Sequence, residues 1–180
     1  MMSEWTVRQA VVSDAPVLHP LINKAYRTND SWTSEASLIA GERIQLKDLE
    51  QTIRSKTILV LVTNDNRIVG SIEIEHYDAD LRRPVHHETQ SVLLGLFAID
   101  TTQQSKGLGT QLLNAAIGWA RGHGKQDVYI WVIHVRKDIM EWYIRKGFIQ
   151  TGNKVAFVFP ELQKIDDAHF DEMKLSISNG

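Results

Sequence analysis

At 180 residues, 43% hydrophobic and 23% charged, the chain has the make-up of an ordinary globular domain with its own core. It contains no cysteine, which excludes disulfides, thiolate metal sites and a cysteine nucleophile. A formal net charge of −2 argues against a nucleic-acid-coating surface. No apolar run approaches a membrane span, and Met1-Met-Ser-Glu-Trp lacks the basic-then-apolar order of a secretion signal. A single domain over 1–180, cytoplasmic and without nucleic-acid or membrane partners, is therefore expected.

Trp5 to Val12 reads as a first strand, with Ser13-Asp14 as a helix cap and Pro16 in the first turn. Val17, Leu18, Leu21, Ile22, Ala25 and Tyr26 form a helical stripe. Pro20 falls within it and predicts a kink or a late start. A polar loop with Trp32 embedded follows. Ser34 is placed to cap a short helix ending at Gly41, and Leu46, Leu49 and Ile53 mark another helix. Thr57–Thr63 and Arg67–Tyr77 make a hairpin around Asn64-Asp-Asn, and Asp78–His87 is a charged loop.

An apolar strand from Ser91 to Ile99 comes next, with Gly95 as a candidate bulge. A helix follows from Leu108, ending at Gly122 and Gly124. Asp127–Val135 is a β-prone run, Lys137–Lys146 a helix ending at Gly147, and Phe148–Phe159 a strand interrupted by Thr151-Gly-Asn-Lys. Met173, Leu175 and Ile177 alternate in a final strand. The order β-α-α-β-β-β-α-β-α-β-β predicts an α+β fold: a mixed, mostly antiparallel sheet flanked by helices.

Between the Ser91–Ile99 strand and the next helix stands Gln104-Ser-Lys-Gly107-Leu-Gly109. Two glycines at a helix start let backbone approach a ligand, and the unpaired N–H groups there favour an anion. The glycine pattern of a Walker loop is absent, and a dinucleotide fingerprint needs glycine where Leu112 stands. A diphosphate cradle and a plain turn are both compatible with the residues alone.

Leu96-Phe-Ala-Ile-Asp100 followed by Gln104-x-x-Gly107-x-Gly109-Thr110 resembles motif A of the GNAT superfamily, the acyl-CoA-dependent N-acyltransferases. Trp142-Tyr143-Ile-Arg-Lys-Gly147-Phe148 resembles its motif B, and the element order matches over nearly the whole chain. The resemblance implies a central sheet splayed between its fourth and fifth strands, here Ser91–Ile99 and Asp127–Val135. It implies that Gln104, Ser105, Lys106, Gly107, Leu108, Gly109 and Thr110 hold the pyrophosphate of acetyl-CoA. It also implies that pantetheine pairs along Phe97, Ala98 and Ile99. The implied activity is transfer of an acetyl group from acetyl-CoA to a primary amine, direct and within a ternary complex. The alternatives are a non-catalytic acyl-CoA-binding module on the same fold and, more weakly, a nucleotide-binding protein using the same loop.

Acyl transfer to an amine needs a proton acceptor for the amine, a donor for the oxyanion and a proton for the leaving thiolate. The resemblance implies Tyr143 as the acid for the thiolate, with core packing as its other reading, and a main-chain N–H near Phe97 or Ala98 as the oxyanion donor. The glutamate that many family members place on these two strands is replaced here by Leu93 and Trp131. Glu73, Glu75, Glu88, His134 and a water relay stay open as the base. The family's asparagine after the fifth strand is also missing. Arg136 stands in that region, with a substrate carboxylate, a CoA phosphate or a local aspartate as its partner.

The acceptor, a small-molecule or peptide amine, would meet the loop Thr28–Glu35. Trp32 and Glu35, with Asp30, offer carboxylate and cation–π recognition of an ammonium group there. Helix capping is the other role for Glu35. His76, His86, His87 and Glu88 read as a polar hairpin loop, and no metal is expected because the chemistry needs none. A homodimer through the terminal strand is left open.

Overall fold

The computed structural model describes residues 4–178; Met1–Ser3, part of the leader reading, lie outside them. The strands are β1 (Trp5–Gln9), β2 (Thr57–Thr63), β3 (Ile68–Asp78), β4 (Arg83–Pro84), β5 (Ser91–Ile99), β6 (Asp127–Ile133), β7 (Ile149–Ala156) and β8 (His169–Ser176). The helices are α1 (Ala15–Arg27), α2 (Leu46–Ser55), α3 (Leu108–Gly122) and α4 (Lys137–Arg145). The order is the expected one, with the two-residue β4 added inside the charged loop. The strands hydrogen-bond in the order β1-β2-β3-β5-β6-β8-β7, and β4 lies on β3. β5 runs parallel to β6, while β1 with β2, β2 with β3, β6 with β8 and β7 with β8 are antiparallel. This is the expected mixed, mostly antiparallel α+β sheet.

The chain packs as two compact units, one of residues through Ile74 with Leu96–Ala116, the other of Glu75–Gly95 with Ile117 onward. In the first unit, alternation on β2 turns Ile58, Val60 and Val62 to one face. There they meet Leu18, Ile22 and Ala25 of α1, Leu49 and Ile53 of α2, and Leu96 and Ala98 of β5. The α1 stripe carries the helix across Pro20 from a start at Ala15, so the late start is not what forms. Asp14 occupies the cap position of α1. Its carboxylate, however, accepts from the Val11 N–H at 2.9 Å and from Arg8, instead of bonding the first helical turn.

The short helix expected after Ser34 is a correction. Leu38 and Ile39 N–H both reach the Glu35 carbonyl in a single turn that goes no further. One turn fixes several residues for few bonds, and no apolar stripe continues there to offset that cost.

In the second unit, β8 is seated between β6 and β7. The β7 register shifts between Gln150 and Lys154, at the interruption expected from Thr151-Gly-Asn-Lys, and Gly152 takes φ +84° there. The parallel β5–β6 ladder runs from Ser91 opposite Asp127 to Leu94 opposite Ile130. Just beyond it, Leu96 adopts φ +41°, a conformation seldom used by a bulky residue. The irregularity expected of β5 is therefore carried by Leu96, one residue past Gly95. The buried Ser71 hydroxyl holds the turned-out Leu96 carbonyl at 2.9 Å.

Candidate active site

The loop from Asp100 to Gly107 is built by local hydrogen bonds. Asp100 is anchored to β3 by its N–H on the Val69 carbonyl, at 2.8 Å. Its carboxylate accepts the Thr102 N–H at 2.9 Å and the Thr102 hydroxyl at 2.7 Å, a side-chain turn that starts the loop. Ser105 and Gly107 then take φ +63° and +78°, and α3 begins at Leu108. A Cβ placed on Gly107 would meet nothing within 4 Å, so its glycine serves backbone conformation and open approach. Lys106 reaches only to the Gln103 side chain, at 3.0 Å, and keeps its ammonium at the surface. These residues fit a diphosphate: exposed loop backbone with left-handed turns, at the positive end of a fifteen-residue helix.

Gln104 differs from its loop neighbours. Its amide NH2 donates to the Ser31 hydroxyl at 2.9 Å and to the Ile99 carbonyl at 3.2 Å, and its oxygen accepts the Trp32 N–H at 2.9 Å. The Gln104 side chain is thus committed to the Trp32 loop. Nothing in the sequence pattern marks this strut.

Phe97, Ala98 and Ile99 close β5 in the first unit. The Tyr26 hydroxyl is hydrogen-bonded to the Phe97 backbone, and burial raises the Tyr26 pKa. In the Trp32 loop the indole is 47% exposed. The Glu35 carboxylate accepts from Arg27 at 3.1 Å, so its charge is shared within the protein.

In the second unit Tyr143 is 8% exposed, packed edge-to-face on Phe148 with ring centroids 5.3 Å apart. The Phe148 N–H returns to the Tyr143 carbonyl at 3.1 Å, and Gly147 between them takes φ +95°. The aromatic-Tyr-x-x-x-Gly-Phe spacing is thus a helix stop that folds Phe148 back onto Tyr143.

The model of the Acetyltransferase (GNAT) family matches residues 21–148, more than two thirds of the chain. The chain belongs to this family. Among solved structures, yncA from Salmonella typhimurium with its cofactor acetyl-CoA is similar at 18% identity, with 99% of this chain and 96% of that one covered and a TM-score of 0.70. The spermidine N-acetyltransferase SpeG chimera from Vibrio cholerae and hSSAT matches at 16% identity, 97% and 96% coverage and TM-score 0.67. The ribosomal-protein-S18-alanine N-acetyltransferase from Escherichia coli matches at 17% identity, 98% and 96% coverage and TM-score 0.68. At these identities the likeness is one of fold.

Within this GNAT domain, the residues left open as the base have partners of their own. Glu73 is buried and receives Lys56 at 2.9 Å. Glu88 bonds Lys125 and faces His76 at 3.4 Å; Lys125 holds its carboxyl below the usual carboxylate range. His134 stacks on His169 at 4.2 Å. Arg136 grips Asp138 at 3.0 and 2.8 Å, the local-aspartate alternative for that residue. Among the described residues, no group of three or more His, Cys, Asp or Glu is arranged to hold a metal. No described helix is long and apolar enough to cross a membrane.

One polar cluster escaped the sequence reading. Glu172 on β8 is 2% exposed and accepts from the Tyr77 hydroxyl, from Thr151 at 2.9 Å and from Asn153 at 3.0 Å. Burial, then Glu172 itself, pushes the Tyr77 phenol well above its ordinary range. Leu93 packs with Tyr77 and Tyr129.

Proposed function

We infer that this protein is an N-acetyltransferase that moves the acetyl group of acetyl-CoA directly to a primary amine. The observation that carries this is the Ser105–Leu108 turn: two left-handed residues that open the start of α3 just after a strand, in a chain of the GNAT family. Acetyl-CoA supplies the activated acetyl group as a thioester. Loop backbone from Ser105 to Thr110 binds its diphosphate, and the end of β5 from Phe97 to Ile99 offers an edge for the pantetheine arm. Tyr143 donates a proton to the departing thiolate. Its place at the end of α4, fixed by Phe148, supports the role by holding the phenol in one orientation.

The acceptor subsite is assigned to the Trp32 loop. An exposed indole suits an ammonium group, and the ion-paired Glu35 shapes the loop beneath it. The neighbours of similar fold include proteins named for spermidine and for a ribosomal-protein alanine, so both small amines and peptide α-amines belong in the test panel. Mixing the protein with acetyl-CoA and such a panel should release free CoA thiol with at least one amine.

A second reading, acyl-CoA binding without turnover, is favoured by one observation: the buried Glu73 is neutralised by Lys56. Firm acetyl-CoA binding with no thiol release would select it.

A further inference from the structure

Gln104 spans 72 residues of sequence to hold the backbone of Trp32, and it uses both ends of its amide to do so. The contact continues inward on either side. Ser31, 6% exposed, is within 2.9 Å of the Thr33 hydroxyl, which donates to the Ala25 carbonyl of α1 at 3.1 Å. On the other side the same amide nitrogen reaches the Ile99 carbonyl at the end of β5. A continuous chain of hydrogen bonds thus joins β5, the glycine loop and the Trp32 loop to α1. A planar amide bonded at both ends has little freedom to turn. Any shift of the loop backbone around Gln104 is therefore passed to the Trp32 N–H or breaks that bond.

We propose that Gln104 is a positioning residue that couples the glycine loop to the Trp32 loop, so that filling the diphosphate cradle sets the placement of the Trp32 indole and with it the acceptor subsite. This rests on the acetyl-CoA reading above. It gives the glutamine a task other than holding cofactor, and it makes amine recognition depend on donor occupancy.

The test uses full-length protein carrying 5-fluorotryptophan, with CoA as the probe. The Trp32 fluorine resonance is assigned by its loss in Trp32→Phe, which separates it from the other four tryptophans. Saturating CoA should shift that resonance in the wild type. In Gln104→Ala, also measured at saturation, the shift should fall at least about threefold. Ser31→Ala leaves Gln104 and the glycine loop unaltered, removes the Gln104–Ser31 bond together with the Ser31 contacts to Thr33, and should give a smaller loss in the same direction. It also covers the case in which Gln104→Ala does not fold. A full-sized Trp32 shift in both variants would overturn the coupling. Failure of wild-type protein to bind CoA would remove the acetyl-CoA reading itself, whereas binding with a silent Trp32 would remove only this inference.

Discussion

Gly70 on β3 lies so close to Ile99 on β5 that a Cβ built on it would stand 2.7 Å from the Ile99 Cδ1, with the Ala98 carbonyl and Leu112 Cδ2 each at 3.2 Å. This mid-strand glycine therefore seats the last residues of β5 and the first turns of α3 against β3, and the glycine loop hangs between those two elements. Overpacking costs roughly 1–3 kcal/mol, and Gly70→Ala should lose about that much in denaturant unfolding. Because the strain falls on Ala98 and Ile99, affinity for acetyl-CoA should drop as well. A stability loss with unchanged affinity would detach the glycine loop from this packing.

Asp14 is held low by its hydrogen bonds with Arg8, at 2.7 and 3.0 Å, reinforced by the Val11 N–H. Its folded pKa lies below the ordinary aspartate value, so the folded state favours the carboxylate. The stabilisation is thus complete above the unfolded pKa of about 3.9 and is lost as pH falls through the lower folded value. Asp14→Ala should cost about 1–2 kcal/mol near neutral pH, less than a buried pair because Arg8 is partly solvated. Parallel unfolding curves as a function of pH should converge in acid.

Glu172 is the acceptor for three neutral donors on β3 and β7, counting Tyr77, Thr151 and Asn153. Truncation to alanine leaves the buried Tyr77 hydroxyl and the half-buried Asn153 amide without this acceptor, and about 2–4 kcal/mol should be lost. Glu172→Gln keeps an oxygen for some of them and should cost less. Equal losses for the two variants, read from chemical denaturation, would contradict the network.

Tyr143→Phe keeps the ring on Phe148 and removes only the hydroxyl. Stability and acetyl-CoA affinity should hold, while single-turnover acetyl transfer slows by about 10²-fold, the scale of a lost general acid. Unchanged single-turnover rates would leave Tyr143 with packing alone.

Glu73→Gln probes the base. Since Lys56 neutralises Glu73 in the structure, transfer should keep its pH profile and stay within about threefold of wild type. Loss of the acidic limb of that profile, the rise in rate as a base deprotonates, would make Glu73 the proton acceptor.

Much of the fold was legible because local periodicity and burial agree. The continuous apolar run of Thr57–Thr63, the stripe Leu18-Ile22-Ala25 and the Gly147-Phe148 stop each form as their sequence predicts. The misses arise where a tertiary partner decides. Ser34–Gly41 has capping residues but no stripe to bury, so it stops at one turn. The Leu96 irregularity depends on Ser71, which lies 25 residues away. The left-handed turn at Gly107 was legible from the loop's own residues. The engagement of Gln104 with Ser31 and Trp32 was not, because it lies between segments far apart in sequence. The sequence offers Glu35 an ammonium ligand or a helix cap, and Arg136 a substrate carboxylate, a CoA phosphate or a local aspartate. Only coordinates show that Arg27 and Asp138 hold them.

The most direct test of the whole account follows an isotope-labelled acetyl group. Acetyl-CoA carrying that label is incubated with the protein and a panel spanning polyamines, amino acids and peptide N-termini, and products are read by mass spectrometry. The account predicts a labelled amide on at least one amine, formed together with an equal amount of free CoA thiol. Saturable binding of acetyl-CoA with the label recovered only as intact thioester, whichever amine is supplied, would contradict it.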